Sequence, residues 1–368
     1  MSEKARKVPY VKFTDPQLDA GDVRIPGRLY TGLLWSILFA ACFAAAFYFC
    51  MIKPIVITSA NVSEDELIDL ADAIPLSAAP GETEKTVVFS VPAGVRASDI
   101  VTENLYNERR FLVHINNDSE GYYGSLSDAG VPVDAGRITG DPGLVKRCSV
   151  AYDRSGALLV FDMSGVYEYV LSIDENNVTM EAVSPSELYD FIVVMDPDDS
   201  FSAAGVLTDV AGRSGEMLAA DGIKVYVTEA DAAEGKCITA AELTEETHAD
   251  IYIGMGVSHD GEDHHGIKTY YDPMYYIPGY GSIALCESCL KAVAIAVSDK
   301  ACGIEEAPEG SVLYDINVPA VYITLGNVDN SRENELMTED SYREKLAKGL
   351  YQAVLEAAGK MGEESWRD

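Results

Sequence analysis

The sequence predicts an α/β domain, with a mainly parallel sheet flanked by helices, preceded by an all-β sandwich and one N-terminal transmembrane helix. Three observations predict this organisation. An uncharged run near the N-terminus, 29–52, is long enough to cross a bilayer. Short alternating strands separated by turn residues follow it. From Phe191 onward, apolar strands alternate with amphipathic helices, which is typical of an α/β domain.

The uncharged run also predicts where the protein lies. Residues 1–28 carry six Lys and Arg against four Asp and Glu. By the positive-inside rule the N-terminus is cytoplasmic and the bulk of the chain extracytoplasmic. A cleaved signal peptide and a lipoprotein cleaved at Cys42 are the alternatives. The run is longer than a signal-peptide core and continues into Lys53-Pro54, so we expect a single-pass anchor in the cell membrane.

Charge and cysteine content exclude several classes of protein. The 368 residues include 60 Asp and Glu but only 27 Lys and Arg, for a net charge of -33. Such a chain lacks the clustered cations that a nucleic-acid binder needs. Its seven cysteines are too few and too scattered to indicate a disulfide framework. Cys286-x-x-Cys289 lies in an apolar helical pattern and predicts buried thiols.

The chain after the membrane run divides into a linker and two domains. We expect a linker over 53–84 and a tail over 362–368. Between them lie a β domain over 85–186 and an α/β domain over 187–361. The β domain is predicted from strands such as TVVFSV, RFLVHI, ALLVFDM and YEYVLSI. The α/β domain is predicted from strands FIVVM, IKVYVT, IYIGM and VYITL and from helices over 203–220, 240–248, 282–298 and 341–358.

The α/β region resembles the zinc-dependent N-acetylmuramoyl-L-alanine amidases, which cut the amide between the glycan and the stem peptide of peptidoglycan. The resemblance is carried in order by FIVVMDP (191–197), DGIKVYVTEAD (221–231), HADIYIGMGVS (248–258), GIKTYYDP (266–273) and VPAVYITLGNVDN (318–330). The region before it resembles the AMIN domain, a β-sandwich associated with peptidoglycan binding. NERRFLVHINN (107–117) and the strands over 145–182 carry that second likeness.

The resemblance implies a degenerate active site. The family holds Zn²⁺ with two histidines and a glutamate, and a further glutamate acts as base or acid. At the matching positions this chain has Asp199, Ala203 or Ala204, and Gly256, with Thr324 in place of the catalytic glutamate. Only Asp199 could donate to a metal. We therefore expect no catalytic residues and no cofactor.

A relocated metal site is the alternative. His259, His264 and His265 lie close together among acids, after the strand whose end would line the family's cleft. Histidine and carboxylate donors suit zinc, and Asp199 could join them. A polar surface loop explains the same residues, since the whole chain is acidic.

Two further groups are candidates for binding. Arg109, Arg110 and Arg147 are local cations of the β domain, and stem peptides carry carboxylates, so we expect peptidoglycan affinity to lie mainly in residues 85–186. Tyrosines in and after the fourth resembling segment could stack on sugars or hold a protein partner, or could simply pack a long loop; they are Tyr270, Tyr271, Tyr275 and Tyr276.

Three functions are consistent with the sequence. The first is an inactive amidase-like protein that binds or scaffolds at peptidoglycan or cell-envelope proteins, anchored by one helix. The second is an active amidase, a peptidoglycan hydrolase, with a relocated zinc. The third is an acidic surface binding protein unrelated to peptidoglycan.

Overall fold

The computed structural model of the chain describes residues 73–81, 83–116, 121–152, 155–201, 205–229 and 237–365. The predicted cytoplasmic tail, the membrane run and most of the linker lie outside these residues. Among the described residues, no helix combines the length and apolar character needed to span a membrane.

The first domain is a β-sandwich. Its strands are β1 (Ile74–Leu76), β2 (Ala79–Pro80), β3 (Thr86–Ser90), β4 (Ile100–Leu105), β5 (Arg110–Asn116), β6 (Gly124–Leu126), β7 (Pro132–Asp134), β8 (Ile138–Gly140), β9 (Val145–Tyr152), β10 (Gly156–Met163), β11 (Glu168–Asp174) and β12 (Asn177–Val183). One sheet has the order β1-β9-β10-β5-β4, the other β11-β12-β3-β8-β2, and β6 and β7 form a hairpin. Alternate residues of both sheets, such as Phe89, Phe111 and Leu159, share one buried core.

The boundaries of the sandwich differ from the prediction. Part of the predicted linker, 53–84, belongs to the fold, because β1 pairs with β9 and β2 pairs with β8. Leu76 is buried in the sandwich core, which explains why this short segment is held there. Pro75 interrupts the alternation from which a strand could have been predicted.

The second domain is α/β, as predicted. Its strands are β13 (Ile192–Pro197), β14 (Lys224–Val227), β15 (Ile251–Ser258), β16 (Ile267–Tyr271), β17 (Ala301–Glu306) and β18 (Ala320–Asn327). Its helices are α1 (Pro185–Leu188), α2 (Val206–Ala220), α3 (Ala240–Thr247), α4 (Ser282–Val297), α5 (Ser331–Thr338) and α6 (Asp340–Ser365). Helix α6 continues past residue 361 into the predicted tail.

The α/β sheet is mixed. Its order is β14-β13-β15-β18-β16-β17, and β16 runs antiparallel to β18 while the other neighbours are parallel. Apolar residues such as Ile253 and Ile323 face a large core shared with α2, α4 and α6. The residues between them, including Tyr252 and Tyr322, face the opposite side, which α3 partly covers. Because β16 is reversed, its first residues lie with the carboxyl ends of β15 and β18.

The sandwich contacts the α/β sheet at its β14 edge. The Tyr106 hydroxyl donates to the Val227 carbonyl (2.9 Å) and accepts from the Val227 N–H (3.0 Å). The Tyr106 ring meets Tyr226 edge to face, with ring centroids 5.0 Å apart. Arg109 pairs with Glu246 of α3 at 2.5 Å. One side chain thus satisfies the backbone groups that an edge strand leaves unpaired.

Candidate functional site

Near the carboxyl end of β13, both carboxylate oxygens of Asp196 are hydrogen-bonded. Asp196 accepts hydrogen bonds from the Thr228 hydroxyl and the Tyr252 hydroxyl. Tyr252 is fully buried, and burial together with the Asp196 charge raises the pKa of its phenol. The tyrosine therefore stays protonated at neutral pH and acts as a fixed donor to Asp196.

The Asp199 carboxylate accepts hydrogen bonds from the first turn of α2. One carboxylate oxygen accepts the Leu207 N–H (2.7 Å), and the other accepts the N–H (2.9 Å) and the hydroxyl (2.7 Å) of Thr208. Unpaired N–H groups and a partial positive charge at a helix N-terminus both favour a carboxylate there. Asp199 is therefore a cap for α2. Ala203, its predicted companion, lies outside the described residues.

A tyrosine ring covers the middle of β15. A Cβ placed on Gly256 would stand 1.8 Å from the Tyr322 hydroxyl oxygen, and one on Gly254 would stand 2.8 Å from its ring. Burial and then the charges of Asp198 and Asp196 raise the pKa of Tyr322 to about 12. The glycines thus leave the space that the Tyr322 ring fills.

Beside this ring the surface is polar and half-buried. The Thr324 hydroxyl, two residues along β18, donates weakly to the Lys268 carbonyl at 3.4 Å. The Lys268 ammonium lies 3.3 Å from Glu305 and 3.7 Å from Asp260. Its positive charge is therefore neutralised by these two carboxylates.

A second cluster lies near the end of β18. It combines His265 of the loop before β16, Asp299 of the loop before β17 and Glu333 of α5. His265 Nδ1 is 2.7 Å from the Asp299 carboxylate. Glu333, which is 2 % exposed, accepts the Asn327 N–H (2.8 Å) and the Gly266 N–H (3.1 Å). One donor atom from each of His265, Asp299 and Glu333 lies within 4.8 Å of the others.

The two carboxylates of this cluster respond differently to their surroundings. Burial raises the pKa of Glu333 and outweighs its two N–H donors. Burial opposes ionisation of Asp299 as well, but the Lys300 N–H and His265 prevail and lower its pKa. The pair is therefore favoured with one negative charge, unless a cation lies between the two groups.

The other predicted metal ligands do not meet in this cluster. His259 lies 3.4 Å from Asp329, and the His264 side chain is exposed. Asp199 caps α2, as described above. Among the described residues, the structure brings only His265 of the four predicted donors into a possible metal-binding group.

The arginines of the sandwich are largely neutralised. Arg109 bridges to Glu246, and Arg110 contacts Glu108 (2.5 Å) and Asp162 (2.9 Å). Arg147 also meets Asp162, at 2.6 Å, but its side chain is 65 % exposed. These residues do not form one free cationic surface: Arg109 lies in the contact between domains, and the other two share a carboxylate.

The tyrosines separate into two groups. Tyr270 and Tyr271 lie in β16, half-buried and on opposite faces of the sheet. Tyr275 and Tyr276 follow in a loop with Met274, and their exposed fractions are 46 %, 83 % and 82 %. Of the four predicted tyrosines, Tyr275 and Tyr276 are the exposed pair.

The cysteines of the described residues are free thiols. Cys148, Cys286 and Cys289 are buried, and burial raises their pKa. They serve as core residues rather than nucleophiles.

Comparison with known proteins identifies the second domain. Residues 198–356 match the family model described as N-acetylmuramoyl-L-alanine amidase. Most of the α/β domain is therefore similar to this amidase family. No curated protein matches the chain.

Several solved structures are similar to the amidase domain. The amidase AmiC2 of Nostoc punctiforme is 18% identical with a TM-score of 0.38, over 45% of this chain and 96% of that one. An amidase from Clostridium difficile 630 is 22% identical with a TM-score of 0.39, over 45% and 95%. The catalytic domain of CwlV from Bacillus (Paenibacillus) polymyxa var. colistinus is 19% identical with a TM-score of 0.39, over 46% and 99%.

The amidase zinc does not fit the residues at the positions that the resemblance assigns to it. Asp199 already has three donors on its two oxygens, and Gly256 has no side chain. The Tyr322 hydroxyl lies where a side chain at 256 would begin. Thr324 offers a weakly bonded hydroxyl where a base would be required.

The sequence reasoning missed Tyr322, Asp299 and Glu333. Tyr322 could have been found from the alternation of VYITL, which puts residues 322 and 324 on one face, opposite two glycines of the neighbouring strand. Glu333 lies three residues after Asn330, which caps α5, so its sequence signal is that of an ordinary capping acid. Its partners Gly266 and Asp299 are distant in sequence and carry no signal.

Proposed function

We propose that the protein is a membrane-anchored, catalytically inactive amidase-like protein that binds or scaffolds at peptidoglycan in the cell envelope. The observation that carries the inactivity is the Tyr322 ring, whose hydroxyl oxygen lies 1.8 Å from where a Cβ on residue 256 would stand. A histidine at 256 would require this ring to leave. The amide of peptidoglycan would therefore meet neither a metal-bound water nor a base at this position.

The surface around Tyr322 disfavours the stem peptides of peptidoglycan. Asp196, Asp198 and Asp260 make the carboxyl edge of the sheet acidic, and Lys268 is paired within it. Carboxylates of stem peptides would be repelled there by roughly 1 kcal/mol, and by less at physiological salt. We therefore place the contact with the wall, or with an envelope protein, on the exposed segment 274–276.

Binding is tested by sedimenting the full chain, in detergent, with purified sacculi at about 0.15 M salt. We expect the protein to pellet, and Tyr275→Ser with Tyr276→Ser to leave most of it in the supernatant. The matched control replaces exposed apolar residues of the β6–β7 hairpin, Leu126 (57 % exposed) and Val133 (51 % exposed), with Ser.

The outcomes of this comparison separate the hypotheses. Loss of pelleting only in the hairpin variant would move the binding site to the AMIN-like sandwich, as would loss on changing Arg147 to Ala. Failure of the unaltered chain to pellet would overturn the peptidoglycan function and favour an unrelated acidic binding protein.

The membrane anchor over 29–52 is part of the proposal and has its own test. Membranes washed with alkaline carbonate should retain the full chain. Recovery of the chain in the wash would contradict an integral anchor.

A further inference from the structure

We propose that His265, Asp299 and Glu333 form a binding site for one divalent cation of the zinc class, separate from the position of the family's zinc. Their donor atoms all lie within 4.8 Å of one another. The site goes beyond the proposed function and does not depend on it, because a metal here need not take part in hydrolysis.

The donor set favours a transition metal. One imidazole nitrogen and two carboxylates are ligands that Zn²⁺ accepts, whereas Mg²⁺ and Ca²⁺ prefer oxygen alone. Around zinc at about 2.0–2.2 Å, neighbouring ligand atoms are roughly 3–3.5 Å apart. His265 Nδ1 and the nearest Asp299 oxygen, 2.7 Å apart, need only separate slightly, and a Glu333 oxygen lies within 4.8 Å of both donors.

A buried hydroxyl provides a second, independent observation. Tyr342 is 3 % exposed, and its hydroxyl has no hydrogen-bond partner among the described residues. Tyr342 lies at the start of α6, directly after α5, the helix that carries Glu333. Burial, and then the charges of Glu333 and Asp299, raise the pKa of its phenol. An unpaired buried hydroxyl is unfavourable and calls for a ligand or an ordered water.

The outer side of the site is open to solvent. His265 is half exposed and lines a cavity of about 240 Å³ together with Asp263, Lys300 and Cys302. Glu333 accepts a hydrogen bond from the Asn327 N–H, and Asp299 accepts one from the Lys300 N–H. A bound cation would therefore join the loop before β16 to α5 and to the loop before β17.

The test uses the purified full chain, stripped with a chelator and dialysed against Zn²⁺ at about 10 µM free concentration. We expect close to one equivalent of zinc by elemental mass spectrometry. His265→Ala and Asp299→Asn should each weaken binding at least about 100-fold, more than the roughly 10–100-fold typical of second-shell changes. His259→Ala and His264→Ala, in the same loop, are matched controls and should bind as the unaltered chain does.

Loss of folding would not mimic loss of zinc, because His265 is half exposed and its replacement should leave circular dichroism unchanged. Zinc should also raise the melting temperature of the unaltered chain, and not that of His265→Ala. Zinc retained by His265→Ala, zinc lost equally from the control variants, or less than about a tenth of an equivalent on the unaltered chain would each overturn the site.

Discussion

The Tyr322 ring occupies the volume that a metal-binding side chain would need. Gly254 and Gly256 have no side chains, so the ring can lie across β15 with its hydroxyl over residue 256. Interiors are packed closely enough that adding even one carbon to such a contact is felt. The glycines and the tyrosine are therefore one structural unit.

Replacing Gly256 with Ala should lower the free energy of unfolding by about 1–3 kcal/mol, because the added Cβ would force the Tyr322 ring outward. In a background that already carries Tyr322→Ala, the same replacement should cost much less. The measurement is chemical denaturation of all four members of this double-mutant cycle. Gly212→Ala, at an exposed position in α2 with nothing within 4 Å of the added carbon, is the control and should be neutral or stabilising. Equal cost in both backgrounds would contradict the packing.

Glu242 offers a pH test at the residue scale. It closes a capping box at the start of α3, and the Thr239 N–H lowers the pKa of its carboxyl. A lowered pKa in the folded state adds stability above the unfolded value, and that stability is lost as the pH falls through the folded value.

Glu242→Gln should therefore cost about 0.5 kcal/mol at pH 7, a small amount because the side chain is half exposed, and less near pH 3. Denaturation of both proteins at the two pH values gives the result. A difference that stayed constant between pH 7 and pH 3 would rule out the ionised cap.

At the scale of elements, the contact between the sandwich and the edge strand β14 decides how the domains are joined. The Tyr106 hydroxyl replaces the strand neighbour that Val227 lacks. Asn107 adds a third bond, to the same carbonyl, at 3.0 Å.

Tyr106→Phe should destabilise the protein by about 1–2 kcal/mol, because it leaves a buried N–H without its acceptor. Tyr351→Phe, which removes a solvent-facing bond to Asp221, is the matched control and should change stability by less than about 0.5 kcal/mol. Thermal unfolding of the two variants compares them. Equal effects would show that the hydroxyl does not join the domains.

The elements themselves were predictable where a single pattern was strong. The strands at 86–91, 110–115 and 157–163 and the long helices have uninterrupted alternation or apolar stripes, and they lie within a few residues of the prediction. Strand β4 and the short strands β1 and β2 have weak alternation, and only their partners hold them in the sheets. Long-range pairing of this kind leaves little trace in local sequence.

The candidate site was predictable only in part. Asp199, Gly256 and Thr324 could be placed at the carboxyl ends of their strands from the resemblance. Tyr322 was also within reach, from the alternation of VYITL, once β18 is placed beside β15. The hydrogen bonds of Asp199 were not, because the sequence does not mark the residue at which α2 begins. The same limit applies to His265, whose partners Asp299 and Glu333 are 34 and 68 residues away in the sequence.

For the molecule as a whole, the described residues bring an amidase-like domain and a sandwich together in one compact unit. A hydrolase and a scaffold of this fold would differ little in shape. They differ in whether the cleft holds a metal-bound water and a base, and here it presents Tyr322, Thr324 and a ring of acids. The residues of the cleft, more than the fold of the domain, therefore determine the function.

The central claim is tested most directly by incubating the full chain with purified sacculi and excess Zn²⁺ and measuring free stem peptides by mass spectrometry. An active amidase of the same family serves as the positive control. We predict no release above the protein-free blank over many hours, because Thr324 replaces the base and Asp199, the one metal donor kept at the family's positions, caps α2. Stem peptides released in proportion to protein, and abolished by chelation, would contradict the account and identify the protein as a hydrolase.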